Sequence, residues 1–184
     1  MTEQLVIRLI TQNKKFPLDA ATHLAKVCEN NFSQIHNEMQ KLDAYYMDKT
    51  ALTPADIDAI VTKTTKYQIF ELTDAITKRD VARVTTLFDY LEQTGADEYS
   101  VFAMLMSHTR KMFFARASLM HDTELGKYLG VHPYSITVLR RAPNMTAVRA
   151  ADLYTAAIEY EYQIKSGKIL PWRAALALAG QLLK

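Results

Sequence analysis

Breakers are scarce in this chain. Its 184 residues hold five Gly and five Pro, and the first glycine is Gly95. Ala, Leu, Met, Lys and Gln are plentiful, so local preference points to helix almost everywhere. Apolar residues recur at helical spacing along the whole length, and no alternating stretch of strand character competes with them. The expected fold class is therefore all-α. The length fits one or two domains and is enough to bury a real core.

The spacing predicts a succession of helices. A first segment covers about 3–13. Pro17 then sits in a first turn, followed by Leu18, Ala21, Ala25 and Cys28 on one face. Ile35, Met39, Leu42 and Tyr46 mark the next face. Thr53-Pro54-Ala55-Asp56 reads as a helix start, with a capping hydroxyl, a proline that has no amide to waste, and an acid at the positive helix end. The polar run Thr62-Lys63-Thr64-Thr65-Lys66 has no large apolar residue, and a domain boundary is expected there, giving domains 1–65 and 66–184. Beyond it, Ile69, Leu72 and Ile76 share a stripe. Asp80 caps a helix that ends at Gly95. A long helix over 98–119 carries Val101, Leu105, Met112, Ala115 and Leu119 on one side. Short helices cover 122–130 and 134–142. Another long helix over 146–166 turns Ala150, Leu153, Ala157, Tyr160 and Ile164 inward. Pro171 opens a last helix with Trp172, Ala175, Leu176, Ala179 and Leu183. Short connections between such helices favour an antiparallel bundle.

Composition narrows the function classes. An apolar share of 49% against 23% charged residues excludes a largely disordered chain. A net charge of +2 excludes a strong overall field. One cysteine, Cys28, makes no intramolecular disulfide. Arg8, Lys14 and Lys15 interrupt the early apolar stretch, so no signal peptide is read. The run Ala174 to Gly180 falls far short of the roughly 20 residues of a membrane span. The expected place is the cytoplasm, away from any membrane.

Signals for chemistry are few. A phosphate cradle needs clustered glycines, and Gly95, Gly126, Gly130, Gly167 and Gly180 never cluster that way. His23, His36, His108, His121 and His132 are scattered without ligand spacing. Glu159 and Glu161 lie on different sides of one helix and cannot work as an acid–base pair. No catalytic, metal or cofactor site is expected, and an enzyme is not.

The sharpest local pattern runs from Glu124 to Leu139. It reads as helix, Gly130 turn, helix, with small Gly126 allowing close approach and Leu125, Leu129, Ile136 and Leu139 between the two. That is the layout of a DNA-binding helix-turn-helix over 124–141. Lys127, Tyr134, Arg140 and Arg141 would then face nucleic acid. Seven Lys or Arg against two acids over 108–149 give a local excess of +5, as phosphate neutralisation requires. A plain corner inside a bundle explains the same pattern. A second cluster, Tyr154, Tyr160 and Tyr162 with Arg149 and Lys165 on the same helix, fits a partner surface. Core lining at helical spacing is its alternative.

The order of these pieces resembles the C-terminal part of the delta subunit family of the bacterial DNA polymerase III holoenzyme, which belongs to the clamp loader of DNA replication. Four stretches carry the likeness. Phe32 to Leu42 contains Asn37-Glu38, Lys41 and Leu42 in the family's N-E-x-x-K-L pattern. Leu52-Thr-Pro-Ala-Asp-Ile57 leads into Ile69 to Ile76. Leu125 to Tyr134 matches a helix, a Gly and a Pro-Tyr turn. Glu161 to Gly167 matches an I-K-x-G ending, with Glu161 standing for the family's acid.

The resemblance implies a small helical lid domain over 1–65 and a helical-bundle collar domain over 66–184. It implies a non-catalytic subunit, so that any DNA-directed DNA polymerase label belongs to the holoenzyme. The implied partners are the delta-prime and gamma/tau subunits through the collar, with primer–template DNA only indirectly. The sliding clamp would be met through an N-terminal ATPase-like domain that this sequence lacks. The helices over 98–119 and 146–166 are expected to supply most of the partner surface. The Gly130 region becomes a corner of the collar.

Overall fold

The computed structural model describes residues 3–143 and 145–184, which form eleven α-helices and no strand among them. The chain divides into two compact units, Met1–Gln68 and Ile69–Lys184.

The first unit holds α1 (Glu3–Ile10), α2 (Leu18–Val27), α3 (Phe32–Tyr45), α4 (Pro54–Ile60) and the start of α5 (Thr65–Lys78). Pro17 is the residue before α2 rather than in its first turn. Asn31 caps α3 by accepting from the Gln34 amide. Thr53 and Asp56 close a reciprocal capping box with Pro54 at the first helical position, as the sequence pattern predicts. The core gathers Val6, Ile10, Phe16, Leu24, Cys28, Ile35, Leu42, Leu52 and Ile57. Glu38 is buried beside them at 5% exposure. Its Oε1 meets Lys41 Nζ at 2.7 Å one turn on, while Oε2 has no hydrogen-bond partner among the described residues. The Asn37-Glu38…Lys41-Leu42 pattern is therefore a packing device: a buried carboxylate neutralised locally, next to a buried leucine.

Burial, and after it the Glu38 charge, push the Cys28 thiol up to about 12. A thiolate is the reactive form, so Cys28 is expected to resist thiol reagents at pH ~8 in the native protein and to react at once in urea. Prompt native labelling would contradict this. As the only cysteine, Cys28 reports opening of the first unit.

The polar run 62–66 is not a free linker. Thr64 Oγ1 donates to Glu29 at 2.6 Å and accepts from the Tyr67 amide, and Lys66 pairs with Glu29 at 2.7 Å. Lys63 pairs with Asp58 at 3.0 Å. These bonds fasten the run to the first unit, and the division falls later, inside α5 between Gln68 and Ile69.

With no glycine available, the turns after α2 and α5 use other residues at positive φ: Glu29 at 52°, Asn30 at 59° and Arg79 at 58°. Each non-glycine left-handed residue costs about 1–2 kcal/mol. Glu29 recovers part of that through its bonds to Thr64 and Lys66, which outweigh burial and hold its carboxyl below the usual range.

The second unit continues from α5 through α6 (Val81–Gln93), α7 (Glu98–Ala117), α8 (Asp122–Leu129), α9 (Pro133–Arg140), α10 (Ala147–Lys165) and α11 (Pro171–Leu183). Asp80, Asp97 and Thr146 cap α6, α7 and α10 through their side chains. Helix α7 is the central rod and packs on α8, α9, α10 and α11. Leu72, Ile76, Leu91, Val101, Leu105, Met112, Leu125, Ile136, Leu153 and Leu178 fill the core around it.

Three expectations are corrected here. Helix α7 ends at Ala117 with Ser118 in extended backbone, so Leu119 lies past its end and is fully exposed. Helix α11 buries Ala174, Leu178 and Leu182 alongside Ala175 and Ala179, and Leu176 faces out. The aromatic Trp172 pulled that stripe round by one position, whereas its ring sits at the rim, edge-on to Phe88 at 5.5 Å. And α7, expected to serve a partner, spends most of its surface on its own bundle.

Candidate subunit-interaction surface

Helix α10 starts where Thr146 accepts from the Arg149 amide, and Gly167 turns the chain at φ 71° beyond it. Its inner stripe is Ala150, Leu153, Ala157 and Ile164. Of the five residues expected to face a partner, three work inside the bundle. Arg149 Nη2 donates to the Gln181 carbonyl at 3.3 Å. Tyr154 stacks on Phe113 with ring centroids 5.7 Å apart. The Tyr160 hydroxyl accepts from Gln181 Nε2 at 3.0 Å. These contacts clamp α10 to α7 and α11. Gln181, which the sequence reading did not single out, is the shared anchor.

The other two face out. Lys165 pairs with Glu161 one turn back at 2.8 Å. Tyr162 is exposed, with the Lys168 ammonium 5.2 Å from its ring centre. They do not stand alone: Val148 is 72% exposed, Ile158 46% and Tyr162 59%, and all three lie on the outer side of α10. The periodicity that marked the inner stripe also contained this one, at the complementary positions.

The corner between α8 and α9 is built as the glycines suggest. Gly130 turns the chain at φ 67°. A Cβ on Gly126 would lie 2.8 Å from the Val131 carbonyl oxygen and 3.3 Å from Pro133 Cα. Neither backbone atom can retreat easily. Alanine's better helix propensity, about 1 kcal/mol, offsets only part of an overpacking loss of about 1–3 kcal/mol. Gly126→Ala is thus expected to lower the thermal midpoint, and an unchanged or raised midpoint would refute the close approach.

Of the four residues offered to nucleic acid, Lys127, Tyr134 and Arg141 are exposed. Arg140 is turned back into the fold. Its Nη2 donates to the carbonyls of Ser118 at 3.3 Å and Met120 at 2.6 Å, and its Nε lies 3.2 Å from Asp122 Oδ1. Asp122 also accepts from Thr137. Arg116 likewise donates to the Ala142 carbonyl. Two of the seven basic residues over 108–149, Arg116 and Arg140, therefore hold loops in place. The His132 ring caps α9 by accepting from the Tyr134 amide at 3.2 Å.

His108 is the buried titratable group among the described residues of this unit. Thr77 Oγ1 gives its proton to the Thr73 carbonyl, so it accepts from His108 Nε2 at 3.2 Å. Burial, and after it the Lys111 charge, hold the imidazole down at about 4. Its position between Leu105 and Met112 on the inner stripe of α7 would have identified it. No group of three or more His, Cys, Asp or Glu that could hold a metal ion occurs among the described residues. No described helix is long and apolar enough to cross a membrane.

The fold and its outer face define an all-α protein made of a small helical unit followed by a larger bundle. Residues 66–178 match the sequence model of the DNA polymerase III delta subunit, C-terminal domain, and the chain belongs to that family. The DNA polymerase III subunit delta of Bacillus subtilis (strain 168) is 23% identical over 163 residues, covering 86% of this chain and 47% of that protein. A solved structure, the Bacillus subtilis DNA clamp loader delta protein, superposes with a TM-score of 0.69 at 20% identity, over 100% of this chain and 57% of that one. The likeness at that identity is one of fold. The chain spans about half the length of the relatives it matches.

Proposed function

We propose that this chain is the assembly part of a bacterial clamp-loader delta subunit, acting in the cytoplasm in loading of the sliding clamp onto primed DNA. The first unit, up to Gln68, serves as the lid-like helical domain and the second, from Ile69, as the collar bundle that joins neighbouring subunits of the delta-prime and gamma/tau kind. Its own role is non-catalytic. Helix packing does the work, and a polymerase activity belongs to the holoenzyme. The observation that carries this reading is the family match across 66–178, which coincides with the bundle that exposes an apolar stripe on α10. A stand-alone helix-turn-helix regulator has weaker support, since Arg140 is committed to the carbonyls of Ser118 and Met120.

Stable subunit interfaces bury about 1,200–2,000 Å² in total. Mixing the protein with the remaining clamp-loader subunits at micromolar concentration and measuring complex mass by light scattering is expected to give a stoichiometric complex. Separate, unshifted masses would refute the assembly role.

A further inference from the structure

The outer side of α10 is patterned in heptads. Val148, Thr155 and Tyr162 are spaced by seven, and Ala151, Ile158 and Lys165 fall between them at the same interval. These two interleaved series stand at the a and d spacing of a coiled-coil seam, whose exposed apolar members are Val148, Ile158 and Tyr162, with Ala151 half-buried and Thr155 and Lys165 polar. The seam lies opposite the buried stripe of Ala150, Leu153, Ala157 and Ile164, so the bundle itself cannot cover it. It runs for about 25 Å at about 1.5 Å per residue.

Charge says what kind of helix fits. The positions flanking the seam are Asp152 and Glu159, both exposed, and neither forms an ion pair among the described residues. Glu159 only accepts from the Gln163 amide, at 2.9 Å. Glu161, on the other flank, is neutralised by Lys165. One edge of the seam is thus a line of unneutralised carboxylates. Flanking charges choose the partner and its orientation in paired helices. A second copy lying antiparallel would set Asp152 and Glu159 against their own equivalents, which repel.

We infer that the outer stripe of α10 receives an amphipathic helix of a different subunit, with apolar heptads and Lys or Arg along its flank. This deepens the assembly role proposed above, on which the choice of a subunit as the bearer of that helix rests.

A synthetic helix with Leu at its seam positions and Lys at its flanks, fluorescently labelled, is the probe, and the same peptide with Glu flanks is its control. The wild-type protein is expected to bind the Lys probe at least about tenfold more tightly than the Glu probe at low salt, with the preference fading as salt is added. Ile158→Asp should weaken the Lys probe about tenfold or more, and the pair Asp152→Lys with Glu159→Lys should reverse the preference. All three positions are exposed, so circular dichroism should show the native helix content in each variant. Equal binding of both probes to wild type, or Lys-probe binding unmoved by Ile158→Asp, would overturn the inference. Wild-type joining of the clamp-loader subunits, unaffected by these variants, would overturn it too while leaving the assembly role standing. Binding of the Lys probe with the expected reversal, but no subunit complex, would support the surface and remove the assembly role.

Discussion

As the pH falls from the ordinary imidazole value of 6.5 to about 4, the bundle of residues 69–184 is expected to lose roughly 3 kcal/mol of stability through His108. The sign follows from proton binding. Below 6.5 the unfolded chain takes up a proton at His108, while the folded chain keeps the ring neutral down to about 4. The unfolded state binds more protons in that window, so stability is full above it and drains as the pH drops through it. The native ring cannot accept the charge cheaply: it is buried, it faces Thr77, and Lys111 adds a repulsive cation. Trp172, the only tryptophan, lies in this unit and reports its unfolding in urea. His108→Gln keeps a donor toward Thr77 and removes the titration. Wild type should lose its urea midpoint steadily between those two pH values, and the variant should not. Asp97, held below the usual carboxylate range by its bonds to the Ser100 hydroxyl and amide, adds a loss of its own at lower pH. That loss is common to both proteins and cancels in the difference. Parallel pH profiles for wild type and H108Q would refute the account.

Much of the fold was legible because helix starts carry chemical marks. Thr53, Asp80 and Asp97 each cap the helix that follows, and Gly95, Gly130 and Gly167 each take positive φ at a helix end. Stops without glycine were not legible. Nothing in Glu29 or Arg79 announces a left-handed turn, and only the tertiary bonds of Glu29 to Thr64 and Lys66 explain why it is tolerated there. The same bonds explain why a polar run that reads as a linker is instead fastened down. Composition reports that Thr and Lys are polar, not that a carboxylate waits for them.

The outer surface was read less well, for a related reason. Periodicity tells which residues share a face of a helix. It does not tell which of two faces looks inward, nor whether a long polar side chain reaches back. Tyr154, Tyr160 and Arg149 share the sequence character of an interface and are spent on Phe113 and Gln181 instead. Arg140 has the look of a phosphate contact and holds the Ser118 and Met120 carbonyls. Arginine with several donors is well suited to that role, since it can satisfy two carbonyls and a carboxylate at once. The residues left over, Val148, Ile158 and Tyr162, have no polar signal and emerge only when burial is known.

Leucines at equivalent points of one helical stripe should therefore differ sharply when truncated. Leu105 and Leu119 are spaced by two heptads and read alike in sequence, yet Leu105 is fully buried on the central rod and Leu119 is 102% exposed beyond its end. Leu105→Ala removes buried methyl groups and leaves a cavity that α10 and α11 cannot close without moving, so a loss of about 3 kcal/mol or more is expected. Leu119→Ala removes nothing from the core and should stay within about 0.5 kcal/mol of wild type. The same contrast is expected on α11 between buried Leu178 and outward Leu176. Urea unfolding followed by Trp172 fluorescence measures all four on one scale. A large loss at Leu119 or Leu176, or a negligible one at Leu105, would mean that the helix end at Ala117 or the register of α11 is wrong, and with it the face that α10 leaves free.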